Sequence, residues 1–76
     1  MKVAIEIIAR SVPGVLHELT GVIARHQGNI LSVELVEQQT PETRIVFELD
    51  LPRDSESLLN DLSALPMVHQ IGRAHV

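Results

Sequence analysis

Seventy-six residues, 45% of them apolar and with a formal net charge of −4, suffice for one small domain over residues 1–76 with an apolar core. Six Lys and Arg against ten Asp and Glu, with Phe47 as the single aromatic, exclude a nucleic-acid surface of basic side chains and stacking rings. There is no cysteine, so disulfides and thiolate metal sites are excluded; a chain this short buries only about 60% of its unfolded surface and gains from a partner subunit.

The elements follow in chain order. Lys2 to Ala9 is β-branched and almost continuously apolar, which suits a central strand. Val3, Ile5, Ile7 and Ala9 share one face; Ala4, Glu6, Ile8 and Arg10 share the other. Ser11-Val12-Pro13-Gly14 breaks the strand, and a helix is expected from about Pro13 to Gln27. Leu16, Leu19, Ile23 and His26 form its apolar stripe, with Val15 and Val22 flanking it. Gly28 is placed to end the helix in a left-handed conformation. A second strand runs from Ile30 to Gln38, where Leu31, Val33 and Leu35 alternate with Ser32 and Glu34; Ile30 and Val36 do not fit that face. Gln39-Thr40-Pro41-Glu42 is a turn. The third strand, Thr43 to Leu51, alternates cleanly, with Ile45, Phe47, Leu49 and Leu51 inward. Asp54 or Ser55 caps a second helix whose buried stripe is Leu58, Leu62 and Leu65, with Leu59 beside it. Pro66 stops that helix, and Val68 to Ala74 is a last, weaker strand.

The order β-α-β-β-α-β in one small chain gives an α+β fold: a ferredoxin-like βαββαβ sandwich. It has a four-stranded antiparallel sheet and two helices on one face. Strands one and three are expected at the centre, strands two and four at the edges. The first residues lack the features of a signal peptide, and no apolar run approaches the roughly 18 residues that span a bilayer. A cytoplasmic location with no membrane partner is the expectation.

Ser11 to Val33 reads S-V-P-G-V-L-H-E-L-T-G-V-I-A-R-H-Q-G-N-I-L-S-V. Pro-Gly followed by an apolar pair, an amphipathic helix, then Gly and Asn-Ile opening a strand resembles the ACT domain family. Pro13, Gly14, Val15, Leu16, Leu19, Ile23, Gly28, Asn29 and Ile30 carry the likeness. Leu65-Pro66 with Val68 extends it over essentially the whole chain. The resemblance implies a regulatory module of amino-acid metabolism, free-standing or part of a larger enzyme or regulator. Phosphoglycerate dehydrogenase, aspartokinase and phenylalanine-pathway enzymes carry such domains, as do some transcription regulators and bifunctional guanosine tetraphosphate enzymes. It further implies a homodimer paired through the second-strand edges. An amino-acid effector would sit between the loop joining the first strand to the first helix of one subunit and the start of strand two of the other. The implied ligand residues are Ser11, Val12, Pro13, Gly14, Val15 and Leu16 from the loop, with Asn29 and Ile30 from the strand. Ser11 departs from the Asp or Asn common in ligand-binding members, and Ala9 lacks the polar group of serine-sensing members.

Physical chemistry supports such a site. The first N–H groups of a helix lack intrahelical partners. With Val12 as N-cap, those of Gly14, Val15 and Leu16 face open space and suit a carboxylate. Asn29 offers both a donor and an acceptor, the mixed set an amino acid requires.

Plainer readings stand beside this one. Pro13-Gly14 also serves as an ordinary strand-to-helix turn, Asn29 tolerates a left-handed backbone, and Ser11 suits a helix cap. Gly21 fits close helix contact or simple exposure. His17, His26, His69 and His75 lack zinc-site spacing and read as solvated or half-buried. Glu6, Glu48 and Arg44 read as a surface ion-pair cluster on the outer sheet face. No nucleophile sits beside a base, so neither catalysis nor a cofactor is expected. A second reading is a pure interaction module on the same fold, in which the apolar outer-face residues Ala4, Ile8 and Val46 contact another sheet or a catalytic domain. A third, an RNA or metal binder, conflicts with the acidic balance and the missing aromatics and cysteines.

Overall fold

The computed structural model describes residues 1–37 and 41–74, without the side chain of Glu37. Six elements follow in order: β1 (Lys2–Arg10), α1 (Val15–Arg25), β2 (Asn29–Glu37), β3 (Glu42–Asp50), α2 (Glu56–Ser63) and β4 (Val68–Arg73). The sheet is four-stranded in the order β2-β3-β1-β4. Its pairings are all antiparallel, so β1 and β3 are central and β2 and β4 are edges, as the βαββαβ pattern requires. Gln38, Gln39, Thr40 and His75, which carry part of the expected second strand and turn and one histidine, lie outside the described residues.

One face of the sheet is the core. Ile5, Ile7 and Ala9 of β1 and Ile45, Phe47 and Leu49 of β3 pack with Leu19, Val22 and Ile23 of α1 and Leu58 and Leu62 of α2. Val15 and Val22, read from the sequence as flanking, are buried, whereas Leu16 is 39% exposed and lies off the stripe. The helix starts two residues later than expected, and its buried arc is Val15, Leu19, Val22 and Ile23.

Both ends of α1 correct the sequence reading. At its start Gly14 is the N-cap, in the left-handed region at φ 83°, ψ 2°. The Val15 N–H donates to the Val12 carbonyl at 3.3 Å. Together these make Val12-Pro13-Gly14-Val15 a type II turn, with proline and glycine at the two positions whose dihedrals suit them. At its end the left-handed residue is Gln27, at φ 59°, not Gly28. Gly28 N–H donates to the Ile23 carbonyl and Gln27 N–H to Ala24, a Schellman arrangement.

Gly28 is needed for space. A Cβ there would stand 2.8 Å from Ile23 Cγ2, 3.0 Å from Leu51 Cδ2 and 3.2 Å from the Ile23 carbonyl oxygen. Gly28→Ala is therefore expected to destabilise the fold by about 1–3 kcal/mol, because helix, strand and side chain must all yield. Urea unfolding measures this; an equally stable variant would show the close approach to be unimportant. Gly21, in contrast, has nothing within 4 Å of a built Cβ, so it is not there for close helix contact.

β2 carries a bulge that settles its ambiguous register. The register shifts between Ile30 and Ser32, so Ile30 stands across from Leu49, Val33 from Phe47 and Leu35 from Ile45. Ile30 thus joins Val33 and Leu35 on the helix side, and Leu31 is the inserted residue. A bulge sets two residues against one, which is why strict alternation failed there. At the second helix Ser55 is the N-cap without a side-chain hydrogen bond, while Asp54 Oδ1 accepts from the Glu56 N–H at 3.2 Å. That helix ends at Ser63, ahead of Pro66, and its stripe is buried at Leu58 and Leu62 but only partly at Leu59 and Leu65.

Candidate functional site

The turn from β1 to α1 is held in place by backbone. Arg10 N–H donates to the Met67 carbonyl and Ser11 N–H to the Pro41 carbonyl, both at 2.8 Å. Ser11, Pro13, Gly14 and Leu16 are exposed, Val12 is half-buried against the core and Val15 is buried. No side chain caps α1, so Ser11 is not a cap. The Val15 N–H is taken by Val12, and Glu18 N–H reaches the Gly14 carbonyl at 3.0 Å. The N–H groups of Gly14, Leu16 and His17 have no partner among the described residues. The donor set expected from Gly14, Val15 and Leu16 is therefore Gly14, Leu16 and His17. Sequence reading missed His17 because it weighed only the imidazole. The cap stands at Gly14, two residues beyond Val12, so the uncapped first turn runs on to His17.

Asn29 opens β2 and is exposed, as is Ile30. Asn29 pairs with Asp50, and Asp50 with Lys2, whereas Arg10 pairs with Glu42. Within one chain, then, the Ser11–Leu16 turn and Asn29 lie at opposite ends of the sheet. The separation is that of the nine-residue strand β3, on the order of 25 Å. The sequence places these residues in one short motif; a single chain does not bring them together.

β2 itself is the unusual element. Seven large apolar side chains are exposed among the described residues, and five of them lie on this strand: Ile30, Leu31, Val33, Leu35 and Val36, between 37% and 47% exposed. Phe47 and Ile45, directly across from Val33 and Leu35 on the same face, are fully buried. The cover over the sheet thus ends before β2, and its outer edge has no strand partner among the described residues.

The titratable groups form pairs. His26 Nε2 lies 2.6 Å from Asp61 Oδ2, tying α1 to α2, and His69 Nδ1 lies 2.5 Å from Glu42 Oε2, tying β4 to β3. Arg44 Nε donates to Glu6 at 2.5 Å, while Glu48 accepts the Ser32 hydroxyl at 2.9 Å instead of joining that pair. Among the described residues no three His, Asp or Glu side chains gather as a metal ligand set. Among the described residues no helix is long and apolar enough to cross a membrane.

A family model described as AHAS small subunit-like ACT domain matches residues 5–70. The ACT domain of GTP pyrophosphokinase from Chlorobium tepidum is similar in structure, with a TM-score of 0.80 at 18% identity over 97% of each chain. The acetolactate synthase small subunit of Thermotoga maritima gives 0.82 at 21% identity, covering 96% of this chain and 47% of that one. Aspartokinase III of E. coli, in complex with lysine and aspartate, gives 0.57 at 21% identity over 96% of this chain and 17% of its own. At these identities the likeness is one of fold. No curated protein matches the chain in sequence.

Proposed function

The chain belongs to the AHAS small subunit-like ACT domain family, and on that premise we propose that it is a regulatory unit that dimerises through the free edge of β2 and holds an amino acid at the dimer interface. ACT domains are regulatory domains that bind amino acids, and they occur attached to catalytic domains. The observation that carries the reading is the apolar β2, whose outer edge has no strand partner among the described residues. A long apolar edge left open is an aggregation hazard that proteins cover or pair.

Pairing also answers the separation within one chain. An antiparallel twofold contact between two β2 edges reverses one protomer end for end. The partner's Asn29 then comes to the end of the sheet that carries this chain's Ser11–Leu16 turn. The uncapped N–H groups of Gly14, Leu16 and His17, at the positive end of α1, suit a carboxylate. The Asn29 amide and the Ser11 hydroxyl suit an ammonium group. Val12 lies under this turn, and Leu16 and the partner's Ile30 offer apolar walls.

Ser11 is neutral, so the ammonium gains no ion pair, and that favours a second reading in which the same edge only joins two chains. Thermal unfolding with each of the twenty amino acids at millimolar concentration separates the two. An effector at one hundred times its Kd is expected to add about 2.7 kcal/mol. In Asn29→Ala that shift is expected to vanish. A shift that survives places the ligand elsewhere, and a flat panel leaves the interaction module.

A further inference from the structure

A cavity of about 400 Å³ opens between the end of α1 and the loop joining β3 to α2, away from the Ser11–Leu16 turn. Arg25 and His26 line it on one side, and Arg53, Asp54, Ser57 and Leu58 on the other. Two of the chain's six Lys and Arg residues therefore line one hollow of an acidic protein. Neither guanidinium has a carboxylate within ion-pair distance among the described residues; the pairs formed there use Met1, His26, Arg44 and His69.

Backbone donors add to them. Within the first turn of α2, Glu56 N–H is taken by Asp54 and Leu59 N–H by the Ser55 carbonyl, at 2.9 Å. The N–H groups of Ser57 and Leu58, both on the cavity wall, have no partner among the described residues. Ser55 supplies no cap, and its buried Oγ has no partner either. At the end of α1 the carbonyls of Val22, Ile23 and Ala24 accept from His26, Gln27 and Gly28, and two full guanidinium charges exceed the roughly half negative charge of that helix end. Asp54 is the one acidic lining residue, and its Oδ1 is turned to the Glu56 N–H.

We infer that this cavity binds the phosphate group of a small anionic ligand, with Arg25 and Arg53 as its charged forks and Ser57 and Leu58 N–H as its neutral donors. Two guanidinium groups and two amides match a dianion with several acceptor oxygens better than a single carboxylate. The cavity is far larger than a phosphate ion, which favours a phosphomonoester over free phosphate. The inference does not rest on the dimer or on an amino-acid effector.

Inorganic phosphate and methyl phosphate, titrated in parallel into 15N-labelled protein at constant ionic strength set with chloride, test it. Saturable shifts of the Ser57 and Leu58 amides are expected, with affinity at least about tenfold weaker in the Arg25→Gln, Arg53→Gln double variant. Both side chains are exposed, so the remaining resonances should stay in place. Tighter binding of methyl phosphate assigns the site to esters; equal or weaker binding assigns it to free phosphate. Shifts no larger than chloride alone produces, or undiminished affinity in the double variant, overturn the inference.

Discussion

Val33→Lys is expected to leave the chain monomeric at concentrations where the natural chain pairs, with a dimer Kd raised by at least about thirtyfold. Val33 sits mid-strand on β2, 46% exposed, across from Phe47. At a twofold contact every residue is present twice, so one substitution removes two apolar groups. Burying a valine side chain contributes roughly 1.5–3 kcal/mol. With about half of each side chain still open to water, the two copies together contribute on the order of 2 kcal/mol. Two ammonium groups brought close add repulsion, and edge lysines are a natural device against strand addition. Sedimentation equilibrium of the two proteins measures the effect. The fold should persist, since a half-exposed edge position tolerates a long side chain whose stem still covers the sheet. A natural chain that stays monomeric at high micromolar concentration, or a variant that pairs as well as the natural chain, would remove the basis of the proposed site.

Phe47→Ala is expected to cost about 3–5 kcal/mol, the usual range for deleting a buried ring. Phe47 is fully buried at the centre of β3, with Ile5 across from it on β1 and Val33 on β2. It is the only aromatic side chain, so no neighbouring ring can lean into the void. A domain of this size is expected to have a total stability of roughly 4–11 kcal/mol. The variant should thus be largely unfolded in mild urea, whereas Phe47→Leu should lose less than half as much. A midpoint shift worth under 1.5 kcal/mol for Phe47→Ala would show that the core does not depend on this ring.

The two substitutions separate two kinds of apolar residue that look alike in the sequence. Phe47 and Val33 both lie on strands that alternate, and both face the helix side. One is sealed under helices and the other is open, because the helix layer stops short of β2. Periodicity reports which face a side chain takes but not how far the opposite layer extends.

The same distinction runs through the candidate site. Pro13-Gly14 and Gly28-Asn29-Ile30 mark a turn and a strand entry correctly, because local dihedral preferences act over a few residues. That His17 and not Val15 joins Gly14 and Leu16 in leaving its amide free was not readable. That depends on Gly14 taking φ 83° and on Val15 bonding back to Val12. Gly28 was recognisable as special, but for the wrong reason. The helix-ending turn brings Ile23 against it, and the packing of α1 beside the end of β3 brings Leu51. The cavity with Arg25 and Arg53 had no sequence signal, since its two walls are separated by the whole of β2 and β3.

From the sequence alone come the order of the six elements, the buried faces of β1 and β3, and the turn chemistry between them. These rest on side-chain period and on backbone preferences, which act between near neighbours. Only the tertiary structure decided the bulge in β2 and the exposure of its apolar residues. Those follow from strand pairing and layer coverage, in which residues distant along the chain compete for the same space.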